Sequence, residues 1–292
     1  MKEYMNRRGF IGGVSAMGIV SGCRMLDGFQ RSTGEPVVRF GMVADPHYAD
    51  IPEQWGRNYR GSLAKMEAAV RSFEERECDF IIELGDLKDL TIDREHTLSA
   101  LDKIEKIFTS FKGPAYHICG NHDFDCLTES EFYGHIRNNG VKPKRGYYSF
   151  DRGGLRFIVL DACYTKDMKH YTRSNPWTDA NVPPEELEWL KRELARANGP
   201  AVVFVHQLLD PAAEEGHLIG NHAEVRRLLV ESGKVKTVIT GHQHSGRSAI
   251  LDGILHYTLP AEVEGDENPH AVVSVFADGS VSIENLNSPE VN

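Results

Sequence analysis

Positive charge is scarce in this chain. Lysine and arginine number 33 against 43 aspartates and glutamates, a formal net charge of −10 over 292 residues. With no basic excess to neutralise a phosphate backbone, the composition argues against nucleic-acid binding. It leaves room for a small phosphorylated substrate, because bound divalent cations reverse the local field. Cysteine is sparse as well. The five, Cys23, Cys78, Cys119, Cys126 and Cys163, contain no CxxC pair, which argues against a zinc knuckle. Cys119 and Cys126 flank one loop of interest, where an oxidising compartment would permit a disulfide; buried free thiols are the expectation. There is no internal repeat and no low-complexity tract. Apolar content of 40% and charged content of 26% are ordinary for a soluble globular protein, and the length suffices to bury a full core.

The N-terminus stands apart. Arg7-Arg8-Gly9-Phe10 precedes a weakly apolar run, IGGVSAMGIVSGC. This run is too short and too rich in glycine to span a bilayer. A positive start, a short apolar stretch and small residues describe an export signal. The paired arginines resemble a twin-arginine signal, and Val20-Ser21-Gly22-Cys23 resembles a bacterial lipoprotein box in which Cys23 is lipidated. The expected organisation is an export signal over 1–23, a tether over 24–36 and one domain over 37–292. The expected location is exported, periplasmic or membrane-anchored as a bacterial lipoprotein, with membrane contact only through Cys23.

From Val37 onward, helix-like and strand-like segments alternate. LAKMEAAVRSFEERE precedes DFIIEL, EHTLSALDKIEKIFTSF precedes AYHIC, PPEELEWLKRELARA precedes AVVFV, and HAEVRRLLVES precedes KVKTVIT. This rhythm predicts an α/β fold with a largely parallel sheet. It breaks at GYYSFDRGGLRFIVLDA, a hairpin around Arg152-Gly153-Gly154. It breaks again in the tail, where Asp252-Gly253 and Asp278-Gly279 mark turns between strands. A second sheet with antiparallel parts follows.

Five apolar runs each end in metal-binding side chains: Asp45-Pro46-His47, Gly85-Asp86, Gly120-Asn121-His122-Asp123, His206 and Gly241-His242-Gln243-His244. Loops at the carboxyl ends of strands are where open α/β sheets place ligands. A dinuclear centre needs a shared anionic bridge, and Asp86 is the candidate, since the preceding glycine lets the backbone turn sharply. Asp45 and His47 are aimed by the rigid proline between them. Asn121 offers a carbonyl oxygen and His206 an imidazole nitrogen. His242 and His244 share an i, i+2 spacing, so that each can serve a different ion. Mixed nitrogen and oxygen ligation suits Mn, Fe or Zn better than Ca.

The set resembles the calcineurin-like metallophosphoesterases, whose motifs run DxH, GDxxD, GNH[DE], H and GHxH in that order. All five are present, from about Phe40 to about Ala261. The resemblance implies a four-layer α-β-β-α sandwich of two mixed β-sheets with the metal site at the strand C-terminal edge. It implies one ion on Asp45, His47, Asp86 and His244, and another on Asp86, Asn121, His206 and His242. Within the family, VADPHYAD, YRGSLAKMEAAVRSFEERECDFIIELGD and EELEWLKREL look most like the manganese-dependent ADP-ribose/CDP-alcohol diphosphatases, although that branch usually carries Gln where His47 stands.

The implied reaction is hydrolysis of a P–O bond by a metal-bridging hydroxide, on a nucleotide-type diphosphate or phosphodiester; a phosphomonoester and a non-catalytic metal-bearing scaffold are the alternatives. His122 is expected to donate the proton to the leaving group, with Asp123 holding its ring. Asp89 is either a supporting acid or a solvated loop residue. A metal-dependent amide or ester hydrolase would want an HxHxDH cluster, which is absent. Substrate choice is expected from loops 48–60, 165–184 and 207–221. His217 and His222 invite a substrate-pocket reading. The remaining histidines, His170 among them, are expected to be structural or solvent-exposed.

Overall fold

The computed structural model describes residues 34–141 and 146–287. The stretch expected to be an export signal, Cys23, and most of the expected tether lie outside the described residues. Two sheets carry the fold. In the first, β1 (Val38–Val43), β2 (Phe80–Glu83) and β3 (Ala115–His117) run parallel, and β10 (His270–Val275) and β11 (Val281–Leu286) add antiparallel strands beside β1. In the second, β5 (Leu155–Val159), β6 (Ala201–Phe204), β7 (Val235–Thr240) and β9 (Ile254–Thr258) are parallel. They are edged by antiparallel β4 (Tyr148–Arg152) and β8 (Arg247–Leu251). The β4–β5 and β8–β9 hairpins turn at Gly153-Gly154 and Asp252-Gly253, as the sequence predicts.

The parallel strands are buried along nearly their whole length, which is why they read as continuous apolar runs rather than alternating ones. Between the sheets, Phe40 stacks on Phe80 at 4.9 Å and meets Phe204 and Phe157 edge-on at 5.7 and 6.1 Å. Helices α1 (Ser62–Glu75) and α2 (Arg94–Phe108) cover the outer face of the first sheet with Met66, Phe73, Leu101 and Phe108. The short α3 (Glu129–His135) packs beside them through Phe132. Helices α4 (Pro184–Arg196) and α5 (His222–Ser232) cover the second with Leu187, Leu190, Val225 and Leu229. The result is the expected α-β-β-α layering.

Local sequence sets the helix ends. The Asp93 carboxylate accepts from the His96 amide at 2.9 Å and caps α2. α4 starts on Pro184, whose missing N–H costs nothing in the first turn. α5 stops at Gly233 in the left-handed region. Among the described residues, no helix is long and apolar enough to cross a membrane. Cys78, Cys119, Cys126 and Cys163 are free thiols.

Candidate metal centre

Each parallel strand of the first sheet, together with β6 and β7 of the second, delivers one of the five segments at its carboxyl end. The chain must turn abruptly there. Asp45, His47, Asp86 and His242 all adopt positive φ, between 46° and 67°, a region that costs a non-glycine residue energy and clusters at functional sites. Gly120 is required for a different reason: a Cβ on it would run into the Asp86 carboxylate.

The side chains converge on two neighbouring positions. In the first, the Nε2 atoms of His47 and His244 lie 3.8 and 3.6 Å from Oδ1 of Asp45. In the second, Oδ2 of Asp86 is 3.1 Å from Nε2 of His206, which is 3.2 Å from Nδ1 of His242. Asp86 Oδ2 is also 3.5 Å from His47 Nε2, so this carboxylate stands between the two groups. Asp45, His47, Asp86, Asn121, His206 and His242 are all buried.

This donor set fits divalent ions. Nε2 of His47, Nε2 of His242 and both side-chain polar atoms of Asn121 are buried without a hydrogen-bond partner. Buried polar atoms are rarely left so. The rings are pre-aimed: the His206 Nδ1 donates to the Leu84 carbonyl at 2.8 Å, and Glu264 accepts from His244 Nδ1 at 2.5 Å. Each contact leaves Nε2 turned inward.

The electrostatics follow from crowding acids and imidazoles out of water. Burial opposes ionisation of Asp86, but His206, His122 and His47 outweigh it and hold its carboxyl well below the usual range. Burial likewise opposes the charged form of His206, yet Asp86 and Asp45 carry it up to about 10. For His47 and His242 burial wins, and both stay below the ordinary imidazole value.

The structure corrects one expectation. Asp123 does not hold the His122 ring. Its carboxylate accepts the backbone N–H groups of Gly120, Asp86 and Leu87 at 2.8, 3.0 and 3.1 Å. The acid at Nδ1 of His122 is Asp125, at 2.8 Å, with Asp89 at 3.6 Å. The reason is the backbone: His122–Phe124 is a 3₁₀ turn, in which residues three apart share a face and adjacent ones diverge. Burial lowers the His122 pKa, but Asp86, Asp125 and Asp89 overcome it and keep the ring well above the ordinary value. Asp89 is a supporting acid, its Oδ2 3.3 Å from His47 Nδ1. Sequence reasoning missed Asp125 and Glu264; the i, i+3 spacing from His122 was a signal for the first, and nothing local marks the second.

Loops 165–184 and 207–221 bring aromatic rings to the centre, and loop 48–60 brings Arg57 Nε to 3.6 Å from Oε1 of Glu264, which holds His244. The Trp177 ring lies 5.7 Å from His242 and 5.2 Å from His217, which itself lies 5.0 Å from His242. His222 sits instead at the start of α5.

Two mixed sheets with helices outside and a paired acid–imidazole cluster at the strand ends define a dimetal phosphoesterase. Residues 38–246 match the family model for calcineurin-like phosphoesterase, and the chain belongs to that family as a metal-dependent phosphohydrolase. It is 29% identical over 276 residues to a manganese-dependent ADP-ribose/CDP-alcohol diphosphatase of Oryza sativa, covering 80% of this chain and 86% of that protein. It is 25% identical over 217 residues to a 3',5'-cyclic adenosine monophosphate phosphodiesterase of Escherichia coli, covering 72% of this chain and 71% of that one. A dimetal phosphatase from Danio rerio shares the fold with a TM-score of 0.75 at 22% identity, covering 86% of this chain and 96% of that one.

Proposed function

We propose that this enzyme hydrolyses a nucleotide-type diphosphate of the ADP-ribose kind. The observation that carries the reading is Trp177, a residue 44% exposed whose ring lies 5.7 Å from that of His242. It offers a flat apolar face to a base or sugar whose phosphate reaches the centre. The names of the plant relatives, as diphosphatases, support the same choice.

One ion is assigned to Asp45, His47, Asp86 and His244, the other to Asp86, Asn121, His206 and His242. Bound there, they would supply positive charge to phosphate oxygens and make hydroxide available near neutral pH. The chain's own residues do the rest. Asp86 faces both positions. His122 is held through Nδ1 by Asp125, so Nε2 is the atom free to give its proton to the leaving oxygen. Glu264, Asp89 and the Leu84 carbonyl fix the ligand rings.

The test is phosphorus NMR on manganese-reloaded protein lacking residues 1–23, given ADP-ribose, a cyclic nucleotide and a phosphomonoester together. AMP and ribose phosphate forming first is the expected result. Prior loss of the cyclic nucleotide or the monoester would overturn the substrate choice. The Trp177→Ala variant should raise KM for ADP-ribose several-fold and leave a small monoester unaffected.

The export reading is also proposed, on the arginine pair and the Val20–Cys23 box. Wild type should be recovered in the membrane fraction and Cys23→Ser in the soluble one; equal partition of both would remove lipidation.

A further inference from the structure

Of the parallel strands that carry no motif, β5 also ends in a buried acid. Asp161 lies two residues past Val159 and is fully buried. Its Oδ1 accepts the Cys163 amide at 2.8 Å, whereas Oδ2 has no hydrogen-bond partner among the described residues. Nε2 of His170, in the 165–184 loop, is equally buried and equally unpartnered. Its Nδ1 faces the Tyr171 carbonyl at 3.2 Å. Donation there leaves the lone pair on Nε2, the state in which a histidine binds a metal.

These two atoms face the same space, 3.9 Å apart, and Glu129, the first residue of α3, brings Oε1 to 3.6 Å from His170 Nε2. All three donor atoms lie within 4.8 Å of one another. The separations are too long for hydrogen bonds. They suit a shared ion: donors about 2.1 Å from a tetrahedral metal stand roughly 3.4 Å apart. Neither carboxylate meets a lysine or arginine among the described residues. Gly146 keeps the space open on one side, since a Cβ there would overlap Asp161 Oδ2. Phe124 packs edge-on against the His170 ring at 4.4 Å and fixes it.

We propose that Asp161, Glu129 and His170 form a separate site for a single divalent transition-metal ion, outside the dinuclear centre. Two carboxylates and one imidazole suit zinc or manganese, while calcium would need six to eight oxygens. The thiols of Cys119 and Cys163 also lie near Asp161, but Cys163 Sγ faces the Cys119 carbonyl at 3.6 Å as a donor and so keeps its proton. Occupancy would tie the end of β5 and the start of α3 to the loop that carries Trp177.

The test is metal stoichiometry of the full chain, stripped with chelator and dialysed against buffered low-micromolar free Zn²⁺, by plasma mass spectrometry. Wild type should bind three ions. Glu129→Gln and His170→Gln, at half-buried positions, should each bind two with unchanged circular dichroism. A double variant of the main centre, Asp86→Asn with His206→Gln, should still bind one. Equal stoichiometry in wild type and His170→Gln would overturn the proposal, as would a double variant that binds none.

Discussion

His122 and Asp123 are neighbours in sequence and perform different work. Among the described residues Asp123 is the sole acceptor for the amides of Asp86 and Leu87, and it also takes that of Gly120. It therefore clamps the second and third motif loops together. Burial, and next the Asp86 charge, push its carboxyl up to about 6. Replacing it with alanine leaves three amides without an acceptor, at about 1–3 kcal/mol each where they stay buried. Asp123→Ala is expected to lose metal and stability together, measured by metal content and urea unfolding. Asp125→Ala should keep metal and lose turnover, since it only frees the His122 ring. His122→Ala should keep metal and lose about 10²–10⁴-fold in kcat on an ester with a poor leaving group. Unchanged turnover on such an ester would remove the proton-donor role.

At the scale of elements, β2, β3 and α2 are joined by a buried charge network. His117, at the end of β3, places Nε2 2.9 Å from Glu105 on α2 and Nδ1 3.4 Å from Glu83 at the end of β2. Burial lowers the His117 pKa, but Glu105 and Glu83 overcome it and raise it from 6.5 to about 10. Burial raises Glu83 from 4.5 to about 8. In both cases the folded state holds protons that the unfolded chain has released. The His117 contribution is complete below pH 6.5 and disappears as pH rises through about 10; the Glu83 contribution falls between 4.5 and about 8. Urea midpoints should thus decline from neutral pH toward pH 10, and less steeply in His117→Gln. Parallel slopes in the two proteins would refute the assignment. Nothing in the sequence marks this network, because its members lie on three segments and none belongs to a motif. The main helices and strands were legible, since each carries its own period and its own turn residues. Helix α3 was overlooked although Thr128-x-x-Glu131 is a capping box, complete in the structure. The five site segments were legible because each pairs a strand with its ligands within a few residues. Glu264 was not: its partner His244 is 20 residues away, and their meeting depends on the β8–β9 hairpin between them.

The molecule as a whole spends stability at one edge. Four ligand candidates hold positive φ, each at a cost on the order of 1–3 kcal/mol, and buried atoms of Asn121, His47 and His242 lack partners. Nothing in the packed core clusters requires these features; bound ions would give the unpaired atoms their partners. Metal removal should therefore lower Tm, and manganese should restore it. An ion present at 100 times its Kd stabilises by about 2.7 kcal/mol. Two ions together should move Tm by on the order of 10 °C, at about 2–4 °C per kcal/mol for a domain of 150–250 residues. The decisive variant is Asp86→Asn, with both it and its reference carrying His170→Gln so that only the dinuclear centre can respond. Its carboxylate faces both His47 and His206, so if it is the shared bridge, its loss weakens both positions and Tm should no longer respond to manganese. A variant that keeps half of the reference response would show Asp86 serving one ion only. In that event the two clusters would be independent sites, and a single phosphate clamped between paired ions would no longer describe the centre.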